Sequence, residues 1–342
     1  MSVAAYVGRR LLLTIVVLLG MTLITFFLSH VVPGNPARLL AGPHASQAQV
    51  EAFAHRYGLD RPLPTQYWTY ITGLVRGDLG VSLTTRRPVL DDFRQFVPAT
   101  LELVLAAMFL IVLIGIPLGM LSAVKAGGSL DHVTRFLTVG AVSMPVFWLG
   151  MILQLVFFKR LSLLPVGGRL DLFDQPPPHL TGLFLVDSLV SGDVRAFGAA
   201  IVHLVLPAIT LAAGSLAVTA RMTRASMRET LGTDYVRMAR AKGLSEGIVL
   251  TRHALRNALI PITTVLGLQV GALFGGTVLT EVVFSWPGIG LYAVNAIQNL
   301  DYAAIMGVTL LVSVAYVFVN LAVDVAYVFL DPRITLTARV DA

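Results

Sequence analysis

Cysteine is absent from the 342 residues. That excludes disulfides, thiolate metal sites and a cysteine nucleophile, and leaves the redox compartment undetermined. Charge is scarce as well: acidic and basic residues make up 13% of the chain against 56% hydrophobic residues, a balance that belongs to integral membrane proteins and not to soluble globular ones. The short motifs of catalysis are missing too. No G-x-x-x-x-G-K-[ST] occurs, so a P-loop cannot hold nucleotide, and neither H-E-x-x-H nor G-x-S-x-G is found. The seven histidines stand singly. No catalytic group, metal site or cofactor is expected in this chain. Nor do its two halves carry the matching broken apolar segments typical of self-contained secondary transporters. A chain like this that moves solute actively must draw its energy from another subunit.

What is present is apolar length. Six segments reach membrane-spanning size: Leu11 to Val32, Ala99 to Val124, Phe136 to Phe158, Ile201 to Ala220, Leu259 to Phe284 and Ala303 to Leu330. The fold class expected is therefore all-α integral membrane with six transmembrane helices. Arg9 and Arg10 before the first run resemble the start of a signal peptide, but the run has spanning length and no small-x-small cleavage signal follows it. The net charge of +6 reports orientation and not nucleic-acid binding. Both tails, the second loop and the fourth loop hold fourteen of the 25 Lys and Arg residues in about seventy positions, and the other three loops hold eleven in about 130. The positive-inside rule puts both termini and the 221–258 loop in the cytoplasm. The expected division is 1–32 as cytoplasmic N-terminus and first span, 33–98 as an external cap loop, and 99–342 as a five-helix core carrying the cytoplasmic loop.

The cap loop has helical patterning of its own. Ser46 and Gln49 form a capping box before the stripe Val50, Phe53, Tyr57, and Gly58 supplies a stop. After Pro62 and Pro64 a second stripe follows, Tyr67, Tyr70, Ile71 and Leu74, on a helix too short to span that should pack against the outer ends of membrane helices. Arg76, Gly77 and Asp78 read as a turn. In the third loop a short apolar piece, Leu183 to Val190, is expected at the membrane interface. In the fifth, FSWPGIG at 284–290 places Trp286 at headgroup level, as a gate for the outer mouth or as a plain interfacial turn.

Thr233 to Pro261 is the longest strongly basic stretch between two apolar runs and reads as two short helices joined by a turn. Thr233 is the expected N-cap, Asp234 suits the positive end of the helix dipole, Gly243 ends the first helix in a left-handed conformation, and Ser245 caps the second. Tyr235, Met238 and Ala239 share one face, with Arg237 and Arg240 elsewhere. That face suits docking. The plainer alternative is a solvated loop that is basic only because it is cytoplasmic.

Within the spans, Asp324 costs on the order of 2.5–3.5 kcal/mol to insert unless paired or near water. Arg221 or Arg224 is the expected partner, with Asn320 one turn away. A structural ion pair and a place along a solute path both stand. Gln269, Glu281, Glu102 and His203 are further polar candidates for which hydrogen-bonded bridging between helices is the plainer reading. Pro117, Pro145, Pro207 and Pro261 are expected to kink or start helices.

One resemblance ties these pieces together. DYVRMARAKG at 234–243, continuing as RHALRNALIP at 252–261, resembles the cytoplasmic EAA loop of membrane subunits of peptide/nickel-type ABC importers, whose permease fold is of type I. PGNPA at 33–37, YGLDRPLPTQY at 57–67, RGDLGVS at 76–82, PATLEL at 98–103, LLPVGG at 163–168, HLVLPA at 203–208, FSWPGIG and LDPR at 330–333 resemble the same family in order and spacing. The glutamate of the general motif is replaced by Arg237, and the distance from Gly243 to Pro261 exceeds the shorter general pattern; peptide-type members share both departures. The resemblance implies that Asp234, Tyr235, Arg237, Ala239, Ala241, Lys242 and Gly243 couple to an ATPase, with Arg240, Arg252, His253, Arg256, Asn257 and Pro261 supporting the loop. Gln269, Glu281, Trp286 and Asp324 are the candidates for pathway or gate. It further implies a sister permease subunit forming a heterodimer, one or two ATPase subunits that bind the ATP and magnesium, an external solute-binding protein received partly by the cap loop, and a place in the cytoplasmic membrane. Di- or oligopeptides are the expected solute, with a nickel chelate, glutathione or a glycan fragment as alternatives. A stand-alone channel or secondary transporter, in which Asp324 would be the ion-coupling carboxylate, is the reading from a different class.

Overall fold

The computed structural model describes residues 3–31, 38, 45–56, 58–171 and 173–330. These are mostly helical, and the β pairing among them is a single bridge between Val81 and Pro88. In chain order the helices are α1 (Val3–Val31), α2 (Gln47–Arg56), α3 (Leu63–Val75), α4 (Val89–Val124), α5 (Ser129–Ser143), α6 (Val146–Arg160), α7 (Phe184–Ser191), α8 (Val194–Leu231), α9 (Asp234–Ala241), α10 (Glu246–Val283), α11 (Ile289–Gln298) and α12 (Tyr302–Leu330). By length and composition α4, α8, α10 and the Tyr302–Val319 part of α12 can each cross a membrane, and α1 carries the apolar stretch Leu12–Phe27.

Three of these helices outrun the apolar segments that reveal them. α4 begins ten residues before Ala99, α8 continues eleven residues past Ala220, and α10 begins at Glu246 and not near Leu259. Hydropathy marks the bilayer-length part of a helix, whereas backbone hydrogen bonding carries the helix on into water. The third expected span, Phe136 to Phe158, is not one helix. It is broken between α5 and α6, which meet at 110°. Pro145 has no N–H to donate and forces the residue before it out of the helical region, so Met144 sits extended at φ −89° and ψ 131°. Wide π turns interrupt α4 at Ile111–Gly115, α6 at Gln154–Arg160 and α10 at Val249–Leu255.

The chain forms two compact units, one from Met1–Val97 and Leu291–Phe318, the other from Pro98–Gly290 and Val319–Ala342. In the first, the Ser46–Gln49 capping box is formed: Gln49 Oε1 accepts from the Ser46 amide at 2.8 Å, and Ser46 Oγ accepts from the Gln49 amide at 3.3 Å. Gly58 stands at φ +65°. Tyr57 of the expected stripe lies outside the described residues. α3 rests on α1 through Tyr67 and Tyr70 against Phe26. The 82–92 segment is tied to α11 and the start of α12 by two buried carboxylates. Asp301 accepts from Ser82 Oγ (2.6 Å) and the Thr84 amide (3.0 Å), and Asp92 accepts from Thr85 Oγ1 (2.6 Å) and Tyr292 Oη (3.0 Å) and forms an ion pair with Arg87 (2.8 Å).

In the second unit α8 is the central helix. One core cluster joins α4 (Ala99, Leu103, Val104, Ala107, Ile111) to α8 (Leu204, Ala208, Leu211, Ala212) and α10 (Leu273), with Trp286 closing it. Toward the other end of α8, α4 comes so close that a Cβ on Gly119 would overlap Ala220 and Thr223. Small residues let the two backbones approach, the usual way membrane helices gain contact where burial from water cannot drive association.

Candidate functional site

The basic stretch stands where α8 hands over to α10. α8 ends at Gly232, and Thr233 is extended (φ −79°, ψ 155°) as an N-cap must be. Its hydroxyl, however, donates backward to the Thr230 carbonyl at 2.6 Å and does not cap α9, nor does the Ser245 side chain cap α10. α9 therefore begins without a side-chain cap. Its seat is apolar: Val236 and Ala239 are buried in a second core cluster with Ala123 of α4, Met227 of α8 and Val249, Ala254, Ala258 and Ile262 of α10.

This corrects the expected docking face. Ala239 shares the buried side with Val236, three residues before it, whereas Tyr235 and Met238 lie about 100° round the helix and are 42% and 60% exposed. Val236 was passed over because an eight-residue helix permits more than one apolar face, and only the residues beneath it decide which is buried. The exposed apolar pair is then Tyr235 and Met238, bordered by Arg237, Ala241, Lys242 and Asp234, all exposed.

The turn after α9 takes the expected form. Gly243 stands at φ +76°, its amide donates to the Arg240 carbonyl at 2.9 Å, and the Leu244 amide reaches back to Ala239 at 3.4 Å. Across that turn Arg240 donates two hydrogen bonds to Glu246, at 2.7 and 3.1 Å. Their charge-assisted contact pushes the Arg240 pKa upward. Asn257 Nδ2 donates to Tyr235 Oη at 2.8 Å, and Arg237 donates to the Gly232 carbonyl at 3.0 Å and stands 3.4 Å from Asp234. The expected "second short helix" is thus the first turns of α10 itself, with Arg252 and Arg256 exposed and His253 half-buried along it and Pro261 inside it. Within 221–258 eight Lys and Arg residues face three acidic ones.

The C-terminal half of α8 is fixed by a group the sequence reading did not single out. Asp131 of α5 is fully buried and accepts two hydrogen bonds from Arg224 (2.6 and 2.9 Å), one from Ser122 Oγ (2.6 Å) and one from the Gly127 amide (3.0 Å). Arg224, one of the two expected partners of Asp324, is thus engaged by Asp131, and the other, Arg221, is exposed. The side chains of Asp324 and Asn320 lie outside the described residues. A signal for Asp131 was available, since it follows Gly127, Gly128 and Ser129 in the first turn of a helix, where an anion is favoured.

The remaining candidates lie elsewhere in the same unit. Gln269 accepts from Ser215 Oγ at 2.8 Å and links α10 to α8. Glu281 is fully buried and accepts from Thr100 Oγ1 at 2.7 Å, while the Ile289 amide donates to that same hydroxyl at 2.8 Å. A Cβ on Gly288 or Gly290 would overlap the Glu281 carboxylate, so the 284–290 turn wraps it with backbone alone. Trp286 is not at a headgroup surface. It is buried, with Nε1 donating to the Ala99 carbonyl at 2.9 Å. The pull of a two-ring side chain toward a core lined by α4 and α8 outweighs its interfacial preference once the N–H has a partner. Beside it, Arg169 donates to Glu102 and to the Gly182 carbonyl and lies 3.5 Å over the Phe184 ring. Burial pushes the Arg169 pKa down, and the Glu102 carboxylate opposes that shift. Among the described residues no cluster of His, Asp and Glu is arranged to hold a metal ion.

Long apolar helices joined by a seated, cationic surface helix define a multi-pass membrane protein. Residues 115–336 match the family described as "Binding-protein-dependent transport system inner membrane component", and residues 3–104 match the N-terminal part described for such membrane components. The chain belongs to this family: it is a permease subunit of an ABC importer and a multi-pass inner-membrane protein. It is 50% identical over 320 residues to a probable D,D-dipeptide transport system permease protein of Escherichia coli strain K12, covering 94% of each chain. It is 44% identical to a dipeptide transport system permease protein of Alkalihalophilus pseudofirmus, over 96% of this chain and 99% of that one. To a glutathione transport system permease protein of Escherichia coli O6:H1 it is 39% identical, over 96% and 98%.

Proposed function

We propose that this chain forms half of a translocation pathway for dipeptides and short oligopeptides, with a sister permease as the other half, and that it hydrolyses nothing itself. ATP and magnesium are bound by partner ATPases, which dock on α9, and an external solute-binding protein delivers the peptide. Both termini and the 221–258 segment face the cytoplasm. The observation that carries the coupling role is the construction of α9. Its outer side offers Tyr235 and Met238 within a cationic border, and its inner side is keyed through Val236 and Ala239 to Met227 of α8 and Ile262 of α10. A push on α9 is therefore delivered to two spanning helices together, because a close-packed seat cannot absorb the displacement. Asp234, Arg237, Ala241, Lys242 and Gly243 shape the docking surface, and Arg240, Arg252, His253, Arg256, Asn257 and Pro261 hold it. Gln269, Glu281, Trp286 and Asp324 are the residues assigned to the pathway or its gate. Peptides are favoured over glutathione, a nickel chelate or a glycan fragment by the relatives of higher identity, whose names specify dipeptides.

Reconstitution tests the reading. The complete importer in liposomes, with ATPases and binding protein, is expected to accumulate a radiolabelled dipeptide only when ATP is supplied on the ATPase side. Uptake by this chain alone, without ATP or partners, would replace the importer with a channel or secondary transporter.

A further inference from the structure

α3 has apolar character on more than one side. From Leu63 to Val75 it contains no charged residue, yet its 13 residues reach only about 20 Å, too short to cross a bilayer. One side is taken: Tyr67 and Tyr70 pack on Phe26 of α1, Tyr67 Oη lies 3.1 Å from Thr22 Oγ1, and burial pushes the Tyr70 phenol up to about 12. Trp68 and Val75, seven residues apart and so within about 20° of one another around the helix, point away from those tyrosines and are 69% and 85% exposed. The contact with α1 sets the depth. Thr22 lies about 7 Å inside the end of the apolar stretch that closes at Phe27, and at that level the outward side of α1 is Leu23, Ile24 and Phe27, all exposed. The outward surfaces of α1 and α3 are therefore both apolar, in a membrane protein, at a depth within the apolar part of a membrane helix. Exposed Arg61 and Arg76 stand immediately before and after α3, where guanidinium groups can reach anionic lipid phosphates while the helix between them stays in the acyl region.

We propose that α3 is an interfacial helix seated in one leaflet, with the Trp68 and Val75 side on lipid acyl chains and Arg61 and Arg76 on lipid phosphates. It thereby anchors the 45–88 segment to the bilayer surface, independently of which solute is moved. The absence of native cysteine allows a direct test. Single cysteines replacing Trp68, Val75, Leu23 (lipid reference) and Glu51 (water reference) are spin-labelled in the assembled importer in phosphatidylethanolamine/phosphatidylglycerol nanodiscs, and collision with oxygen and with a water-soluble nickel chelate is compared. Labels at 68 and 75 are expected to match the label at 23, with an oxygen-to-nickel ratio several-fold above that at 51. A ratio equal to that at 51 would place the face in water. Shielding from both reagents would give it to a protein partner, and either result overturns the proposal. Val75 is so exposed that its replacement leaves packing intact, which keeps the test valid even if Trp68→Cys lowers the yield. Dipeptide uptake, measured on the same preparations, separates failure of this proposal from failure of the peptide-import reading.

Discussion

The α9 segment leads from α8 into α10 and the 284–290 turn closes the far end of α10, and the two are built in opposite ways. The turn is closed: Trp286 and Phe284 are buried, and Glu281 is enclosed by glycine backbone and the Thr100 hydroxyl. α9 is divided, with Val236 and Ala239 inside and Tyr235 and Met238 outside. A closed turn can hold helices together but offers nothing for a partner to grip. A divided helix can pass a force from outside to inside, provided that its inner side is packed and its outer side is free. The difference separates the part that stabilises from the part that communicates.

That contrast can be tested from its strongest point downward. Trp286→Ala empties a large buried volume and frees the Ala99 carbonyl, and should lower stability by about 3–5 kcal/mol, seen as loss of assembled importer in detergent melting. A small change in melting would mean that the turn is not closed. Val236→Ala removes two buried methyl groups beneath α9 and should cost about 1–2 kcal/mol, with uptake falling more steeply than ATP hydrolysis as the seat loosens. Equal falls in both would argue against transmission through the seat. Tyr235→Phe deletes the acceptor for Asn257, and about 0.5–1.5 kcal/mol is expected, with little effect on membrane insertion. Unchanged melting would show that this hydrogen bond does not help to hold α9.

The spans were legible because bilayer length leaves a long apolar trace, and the Gly243 turn because only a few residues tolerate positive φ. The break at Pro145 was foreseen as a kink but not at 110°, since one proline does not say where the chain goes after it. The docking face of α9 was read with Ala239 on it, whereas Ala239 is buried with Val236 and only Tyr235 and Met238 are exposed. The choice between Tyr235 and Val236 is made by Met227 and Ile262, which the local pattern does not include. Asp131 with Arg224, and Glu102 with Arg169, are 93 and 67 residues apart, and no periodicity links such pairs. Trp286 was misplaced for the same reason, its partner Ala99 lying 187 residues earlier.

Met238→Asp gives the most direct measurement. Met238 is well exposed, so an aspartate there should change melting by less than about 0.5 kcal/mol. In the complete importer in liposomes, ATP-driven dipeptide uptake should nevertheless fall by about tenfold or more, equivalent to some 1.4 kcal/mol of lost coupling. Uptake at the unsubstituted rate, in an equally stable and fully assembled importer, would contradict the role of α9 as the coupling surface.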